Sequence, residues 1–228
     1  MQFFLPTLFL FKGLMTVAYL GTIYFMGKIM QKLNPERKLL AIALFAFNPL
    51  ILIESLVSAH NDIVMICFAV MSFYFLLQRR IFLAFLLLLL SIGIKFATIF
   101  LLPVFFVTVL RNTVTGERIL KRVQNDIVIM FSAFLMLIAI VLASFRLEFQ
   151  PWYFLWILPF IFLSDKKWLI TLSIIISLGV MIQYLLFLYT GNWNPPIPQI
   201  KTWIVFLSVI LGSLAALVVA VKDKKMLK

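Results

Sequence analysis

The chain alternates between long apolar runs and short polar connections. The apolar runs occupy residues 7–27, 39–53, 63–77, 81–110, 127–144, 152–163, 168–188 and 203–221. A helix needs about 20 apolar residues to cross a bilayer, and several of these runs approach that length. The pattern predicts an all-α, polytopic integral membrane protein with about eight or nine hydrophobic helical segments. We expect residues 1–228 to form a single transmembrane domain.

Two of the runs do not fit a simple membrane crossing. Residues 81–110 would form one helix about 45 Å long, whereas the hydrocarbon core is about 30 Å thick. A hairpin of two short helices with Gly93 and Lys95 at its tip fits better, because it keeps the basic residues at both ends on one side. Residues 152–163 are too few to span and lie between Pro151 and Lys166, which indicates a re-entrant segment.

Basic connections alternate along the chain with connections that carry little or no net positive charge. Basic connections are expected on the cytoplasmic side, at residues 28–38, 79–80, 111–126, 165–167 and 222–228. The connections at 54–62, 93–96, 145–151 and 190–200 are then outside. This topology places the N-terminus outside, so we expect a further segment upstream of Met1. The location predicted for the chain is a prokaryotic plasma membrane.

Composition agrees with lipid as the solvent and excludes several other classes of protein. Hydrophobic residues make up 64% of the chain and charged residues 12%, against about 25% charged in soluble domains. The net charge of +12 lies in short connections, and no basic face with interleaved aromatics indicates nucleic acid. The single Cys67 excludes an intrachain disulfide and a cysteine zinc site. No cofactor is certain, although a carboxylate site for Mg²⁺ or Mn²⁺ stays open.

The few charged side chains predicted at the outer face are the candidates for chemistry. They are Glu54, His60, Asp62, Lys95, Arg146 and Glu148. Carboxylates beside cations at one membrane surface fit a lipid-linked, phosphate-bearing substrate. Each residue has a plainer alternative: helix capping by Asn61 or Asp62, a loop hydrogen bond for His60, and snorkelling for Lys95. Arg146 and Glu148 could form a surface pair.

An aromatic segment follows Pro151. Trp152, Tyr153 and Trp156 are consistent either with an interfacial aromatic belt or with the wall of a site, since aromatic faces also bind sugar rings and polyprenyl chains. Sequence alone leaves both interpretations open.

Three motifs together resemble a known superfamily. Asn48-Pro49-Leu50 with Glu54 and His60-Asn61-Asp62 resembles the N-P-L…E…HND pattern of class-C (GT-C) glycosyltransferases. Ile94-Lys95 before Leu102-Pro103 resembles their I-K…LP stretch, and Gln150-Pro151-Trp152-Tyr153 with Trp156 and Pro159 resembles their P-W-Y segment. The nearest resemblance is to polyprenyl-phosphate-mannose-dependent mannosyltransferases and the catalytic subunit of GPI mannosyltransferase I.

The resemblance implies a hexosyltransferase that moves a sugar, mannose in the nearest relatives, from a polyprenyl-phosphate donor to a lipid or glycan acceptor on the extracytoplasmic face. It implies catalytic roles for Asp62 and Glu54. It also implies substrate-binding roles for His60, Asn61, Lys95, Gln150, Trp152, Tyr153 and Trp156, with Lys95 on the phosphate.

The chain departs from the superfamily in one respect. The family's catalytic aspartate usually lies in a large outer loop after the first helix, and no such loop is found here, so we expect a C-terminal portion of a GT-C fold. The alternative functions are a transporter or lipid flippase, and a non-catalytic membrane subunit of a glycosylation complex.

Overall fold

The computed structural model describes residues 4–115 and 122–226, and all secondary structure within them is helical. The α-helices are α1 Phe4–Leu33, α2 Lys38–Ala46, α3 Pro49–Leu52, α4 Asp62–Leu77, α5 Ile81–Ile94, α6 Leu102–Thr115, α7 Arg122–Leu147, α8 Leu158–Leu163, α9 Lys167–Thr190 and α10 Ile197–Met226. Shorter helical turns are Pro35–Arg37, Ile53–Val57, Phe96–Leu101 and Pro151–Trp156. The all-α prediction is confirmed.

Four of the helices in the described residues are long and apolar enough to cross a membrane. Their crossing stretches are Thr7–Leu33, Asp126–Arg146, Lys167–Thr190 and Ile197–Lys224. A fifth span results if Pro35–Ala46 and Pro49–Val57, which meet at a bend of 55°, are taken together. The prediction of an integral membrane protein with transmembrane helices is supported, but the predicted eight to nine segments are not confirmed. Several predicted segments are instead shorter apolar helices.

The chain divides into two compact units. One comprises residues 1–47 and 51–164, and the other comprises residues 48–50 and 165–228. In the first unit α4 packs against α1 and α5, and the six-residue helix α8 is buried against α1, α2 and α7. Tyr19 donates a hydrogen bond to the carbonyl of Ala46, at 2.6 Å, and Arg37 donates one to the carbonyl of Ser164, at 2.8 Å. These bonds fix the ends of α2 and α8.

The second unit is built on α9 and α10, which run antiparallel. A Cβ atom at Gly179 would overlap the hydroxyl of Ser208, and one at Gly212 would lie 3.0 Å from Leu172 Cδ1. Small residues at such crossings let helix backbones approach closely in a membrane. Gly191 ends α9 in the left-handed conformation, at φ 69°, where a side chain would be strained.

Asn48 of the Asn48-Pro49-Leu50 motif has a structural role in the second unit. Its side-chain oxygen accepts a hydrogen bond from the backbone N–H of Leu50, at 3.0 Å, as a helix cap does. Its amide nitrogen donates to the hydroxyl of Ser177, at 3.0 Å. The motif therefore begins α3 and ties this turn to α9.

The apolar run at residues 81–110 folds as the predicted hairpin. α5 ends at Ile94, Lys95 has an extended backbone, and a 3₁₀ turn leads into α6. The ring of Phe85 contacts those of Phe105 and Phe106, with centroids 5.7 and 5.6 Å apart, so aromatic contacts connect the two arms. Ser91 supports the break, because its Oγ lies 2.7 Å from the carbonyl oxygen of Met65 and 3.0 Å from Thr98 Oγ1.

Parts of the predicted basic connections lie outside the described residues, namely 116–121 and 227–228. Inside the described residues, α6 continues to Thr115 and α7 begins at Arg122, so helix covers much of what was predicted as a loop at 111–126.

Candidate functional site

The stretch from Glu54 to Asp62 is not simply the outer connection that the sequence predicted. Glu54 lies in a π-helical turn, Ile53–Val57, and its side chain is completely buried. Ala59 follows in the left-handed region, at φ 56°, which costs energy for any residue with a Cβ. Together the wide turn and Ala59 reverse the chain so that His60 lies beside Glu54, and its backbone N–H donates to the carbonyl of Glu54, at 2.9 Å. π-Helical turns and strained backbone of this kind are frequent at functional sites.

Asp62 is the centre of a charged cluster. It is the first residue of α4, is completely buried, and its Oδ2 lies 2.6 Å from Nζ of Lys95. Its Oδ1 accepts a hydrogen bond from Nε1 of Trp156, also at 2.6 Å. The start of a helix favours a negative charge, which adds to the stabilisation from the two donors. Residues from three distant parts of the chain are thus joined through one carboxylate.

His60 forms a second layer of the cluster. Its Nε2 lies 3.5 Å from Oε2 of Glu54. Its ring stacks on the indole of Trp152, with centroids 4.1 Å apart and planes 21° from parallel. The stacking on Trp152 and the contact with Glu54 fix the orientation of the imidazole.

Lys95 and His60 are more exposed than the two carboxylates beside them. The side chains of Lys95 and His60 are 30% and 29% exposed, while those of Asp62 and Glu54 are fully buried. A molecule that approaches the cluster therefore meets the ammonium and the imidazole first. The carboxylates lie behind them.

Burial also determines the charge state of His60. Desolvation lowers the pKa of His60 below its ordinary value of 6.5, and the nearby charge of Lys95 lowers it further. The charge of Asp62 acts in the opposite direction but does not prevail. His60 is accordingly neutral at pH 7 and can accept a proton.

The aromatic segment lies inside the cluster. Tyr153 and Trp156 are almost completely buried, and their rings lie 4.7 Å apart. Trp152 contacts His60 on one side and Tyr153 on the other, at 6.0 Å. Of the two interpretations left open by the sequence, these contacts favour a wall beside the charges over a belt in lipid.

Two predicted site residues do not join the cluster through their side chains in the described part of the chain. Asn61 occupies the cap position of α4, but its side chain makes no capping hydrogen bond and is exposed. Gln150 contributes only its backbone carbonyl, which accepts a hydrogen bond from the N–H of Tyr153, at 3.1 Å. Asp62 is itself the first residue of α4, and its carboxylate contacts the side chains of Lys95 and Trp156. Capping of α4 therefore does not explain its position.

The sequence analysis did not identify the residues that support the backbone around the site. Ser91 and Thr98 were not singled out, although they support the break that presents Lys95. Small polar residues inside an otherwise apolar run were the available signal. The left-handed Ala59 gave no signal, because alanine rarely adopts that conformation.

The described residues contain no group of three or more His, Cys, Asp or Glu side chains arranged to hold a metal ion. Both oxygens of Asp62 already have partners, and Glu54 lies beside His60. The cluster does not fit the open Mg²⁺ or Mn²⁺ site that the sequence allowed, and no step is assigned to a metal.

Comparison with known proteins gives one family. Residues 3–111 match the model of the MptA_B family, described as the alpha-(1->6)-mannopyranosyltransferase N-terminal domain. No curated protein and no solved structure matches the chain. The matched region is just under half of the chain and contains Glu54, His60, Asp62 and Lys95. Trp152 and Trp156 lie beyond it.

The match supports a mannosyltransferase family, and together with the apolar helices it supports a membrane glycosyltransferase. Such an enzyme uses a sugar donor and an acceptor.

Proposed function

We propose that this protein transfers mannose from a polyprenyl-phosphate donor to a lipid or glycan acceptor at the extracytoplasmic face of the membrane. The observation that carries the proposal is the contact of Asp62 with both Lys95 and Trp156, at 2.6 Å each. Asp62, Lys95 and Trp156 belong to three different sequence motifs that resemble class-C glycosyltransferases, and these contacts bring the three motifs together. The family match supports the sugar.

In this proposal Lys95 stabilises the phosphate of the departing polyprenyl lipid. An ammonium has three N–H donors, and Asp62 takes one of them. The other two can bind phosphate oxygens as negative charge develops when the bond between phosphate and sugar breaks. Asp62 acts through Lys95, since it holds the ammonium in place from a fully buried position.

His60 takes the proton of the acceptor hydroxyl in the same proposal. Glu54 faces one ring nitrogen, so the other nitrogen can accept the proton as the new bond to the sugar carbon forms. The proton then passes to water. Trp152 and the neighbouring rings would bind the apolar face of the sugar or the first isoprene units of the donor.

The family's description names an alpha-(1->6) linkage. We take this linkage as the expectation for the product, with a primary hydroxyl of a mannosyl acceptor as the attacking group. Linkage analysis of the product tests this point separately from the choice of donor.

The proposal is tested with membranes that contain the protein and labelled polyprenyl-phosphate mannose. We expect transfer by the wild type, loss of at least about a hundredfold in Lys95→Ala, and partial recovery in Lys95→Arg. A double variant, Asp62→Asn with Lys95→Met, removes both charges and so avoids an unpaired buried charge. It should remain in the membrane and be inactive.

A matched control pair lies in the second unit. Lys167 and Asp223 also form an ion pair, at 2.9 Å. Their side chains are 63% and 32% exposed, against 30% and 0% for Lys95 and Asp62. Lys167→Met with Asp223→Asn should leave transfer unchanged. Absence of transfer by the wild type would overturn the proposed donor, and normal transfer by Lys95→Ala would overturn the phosphate role alone.

A further inference from the structure

Tyr153 combines a buried ring with an accessible hydroxyl. Only 6% of the residue is exposed. Its ring packs on that of Trp156 and meets that of Trp152 edge to face, with centroids 4.7 and 6.0 Å apart. The hydroxyl makes no hydrogen bond within the described residues, but, unlike the hydroxyls of Ser55 and Thr108, it is not enclosed by protein. The small exposed part of Tyr153 therefore includes its hydroxyl.

The other buried tyrosine in the described part of the chain shows what a structural hydroxyl does. Tyr19 is 7% exposed and donates to the carbonyl of Ala46, at 2.6 Å, which connects α1 to the end of α2. A hydroxyl that has lost most of its water without gaining such a bond is costly. Since the hydroxyl of Tyr153 can still be reached, an oxygen of a bound molecule can supply the missing partner.

The hydroxyl of Tyr153 lies near the charged cluster. The negative charge of Asp62 acts on it, and the same carboxylate holds the ammonium of Lys95, at 2.6 Å. Trp156, on which the ring of Tyr153 packs, donates to the other oxygen of Asp62. The phenol and the ammonium are thus two donors beside one buried carboxylate. A phenol is protonated at pH 7, so it offers a neutral O–H next to the cation.

A departing polyprenyl phosphate needs one more donor than the intact sugar donor does. In the intact molecule two phosphate oxygens carry charge, and a third oxygen is bonded to the sugar carbon. When that bond breaks, its electron pair stays on the third oxygen. Lys95 has two N–H groups for the first two oxygens, because Asp62 takes the remaining one. Charge that develops on the third oxygen is stabilised by a further donor fixed beside it.

We propose that the hydroxyl of Tyr153 donates a hydrogen bond to the phosphate oxygen that leaves the sugar. This inference rests on the proposed function and names the residue that stabilises its leaving group. The bond from the sugar carbon to this oxygen breaks as the bond to the acceptor oxygen forms. The acceptor proton goes to His60, and Tyr153 keeps its own proton. Tyr153 is then a catalytic residue whose contact forms in the transition state and persists in the released polyprenyl phosphate.

The test compares binding of the released lipid with binding of the intact donor. The purified full chain is titrated calorimetrically with farnesyl phosphate and with mannosyl farnesyl phosphate. Tyr153→Phe keeps the ring and removes only the hydroxyl. It should weaken binding of farnesyl phosphate by about tenfold or more and change binding of the mannosylated compound by less than about twofold. In membranes its kcat should fall by about a hundredfold, with the KM for the donor nearly unchanged.

Tyr19→Phe is the matched control. It removes the bond to Ala46, so it should lower the thermal stability and leave binding of both ligands as in the wild type. Tyr153→Phe should show the reverse, with unchanged stability, because its hydroxyl bonds to no other described residue.

Two kinds of failure are distinguishable in this experiment. Equal weakening of both ligands in Tyr153→Phe, or normal binding of both, would overturn this inference and leave the proposed function standing. Failure of the wild type to bind either ligand would overturn the proposed donor, and this inference with it.

Discussion

At the scale of single residues, Asp62 shows how burial changes the role that a motif suggests. The resemblance implied that its carboxylate acts on the substrate. In the fold both oxygens already accept hydrogen bonds, from Lys95 and Trp156, and the side chain is fully buried. A carboxylate in this position orients the residues around it. That Asp62 matters for catalysis is still a prediction, and in the proposed mechanism it acts by holding the ammonium of Lys95 in place.

A prediction for a single residue concerns His60 and the pH dependence of transfer. Since burial lowers its pKa below 6.5, the imidazole stays neutral, and able to accept a proton, down to more acidic pH than a free histidine. The transfer rate should therefore fall only as pH decreases through that lowered pKa. His60→Gln should reduce the rate by about 10²–10⁴-fold. It should also remove this fall in rate at acidic pH, which is the acid limb of the pH profile. The measurement is the rate of mannosyl transfer against pH, at saturating donor.

A control for this prediction is Trp152→Phe, which keeps an aromatic ring on His60. It should retain the acid limb. An unchanged acid limb in His60→Gln would assign the titration to another group and exclude His60 as the proton acceptor.

At the scale of helices, the packing of α9 on α10 depends on the absence of a side chain at one position. A Cβ atom at Gly179 would overlap the hydroxyl of Ser208. Gly179→Ala should therefore destabilise the protein by about 1–3 kcal/mol, because the two helices must move apart. Thermal unfolding of the detergent-solubilised protein measures the effect.

The control and the rescue for this prediction come from the same chain. Gly13, within α1, has no atom within 4 Å of an added Cβ, so Gly13→Ala should be neutral or slightly stabilising. Ser208→Gly added to Gly179→Ala should recover part of the loss, since it restores the space. If Gly179→Ala and Gly13→Ala had the same effect, the close approach of the two helices would be contradicted.

The helical elements also show where sequence reasoning succeeds. The hairpin at residues 81–110 followed from length and charge, because a thirty-residue apolar helix is too long for the bilayer and its basic ends belong on one side. The stretch from Glu54 to Asp62 was predicted as an outer loop because it is polar. The fold instead buries both carboxylates. His60 of the same stretch lies beside Glu54, and Lys95 of the hairpin pairs with Asp62.

At the scale of the whole molecule, the orientation in the membrane is still a prediction from charge. A cysteine at Ser58, which is exposed beside the cluster, should react with an impermeant thiol reagent from outside. One at Lys166, in a basic connection, should not react until the membrane is permeabilised. Both belong in a Cys67→Ser background, since Cys67 is the single native cysteine and is buried.

Labelling of the Ser58 and Lys166 positions in intact cells decides the orientation. Reaction at Lys166 alone would invert the topology and place the charged cluster on the cytoplasmic side. Transfer to an extracytoplasmic acceptor would then be excluded, whatever the activity of the protein in isolated membranes.

The sequence by itself determined the class of the protein. An excess of apolar residues in long runs leaves lipid as the only suitable solvent, and the run lengths indicate which segments cannot simply cross. The candidate charges could also be found from sequence, because a charged residue in such a chain is rare and costly.

Only the tertiary structure decided how those charges are paired and which of them a substrate can reach. Lys95 and Trp156 lie 33 and 94 residues from Asp62, and contacts at that separation depend on how the helices pack. Local sequence does not encode such pairings, because a long-range contact is selected by the whole core.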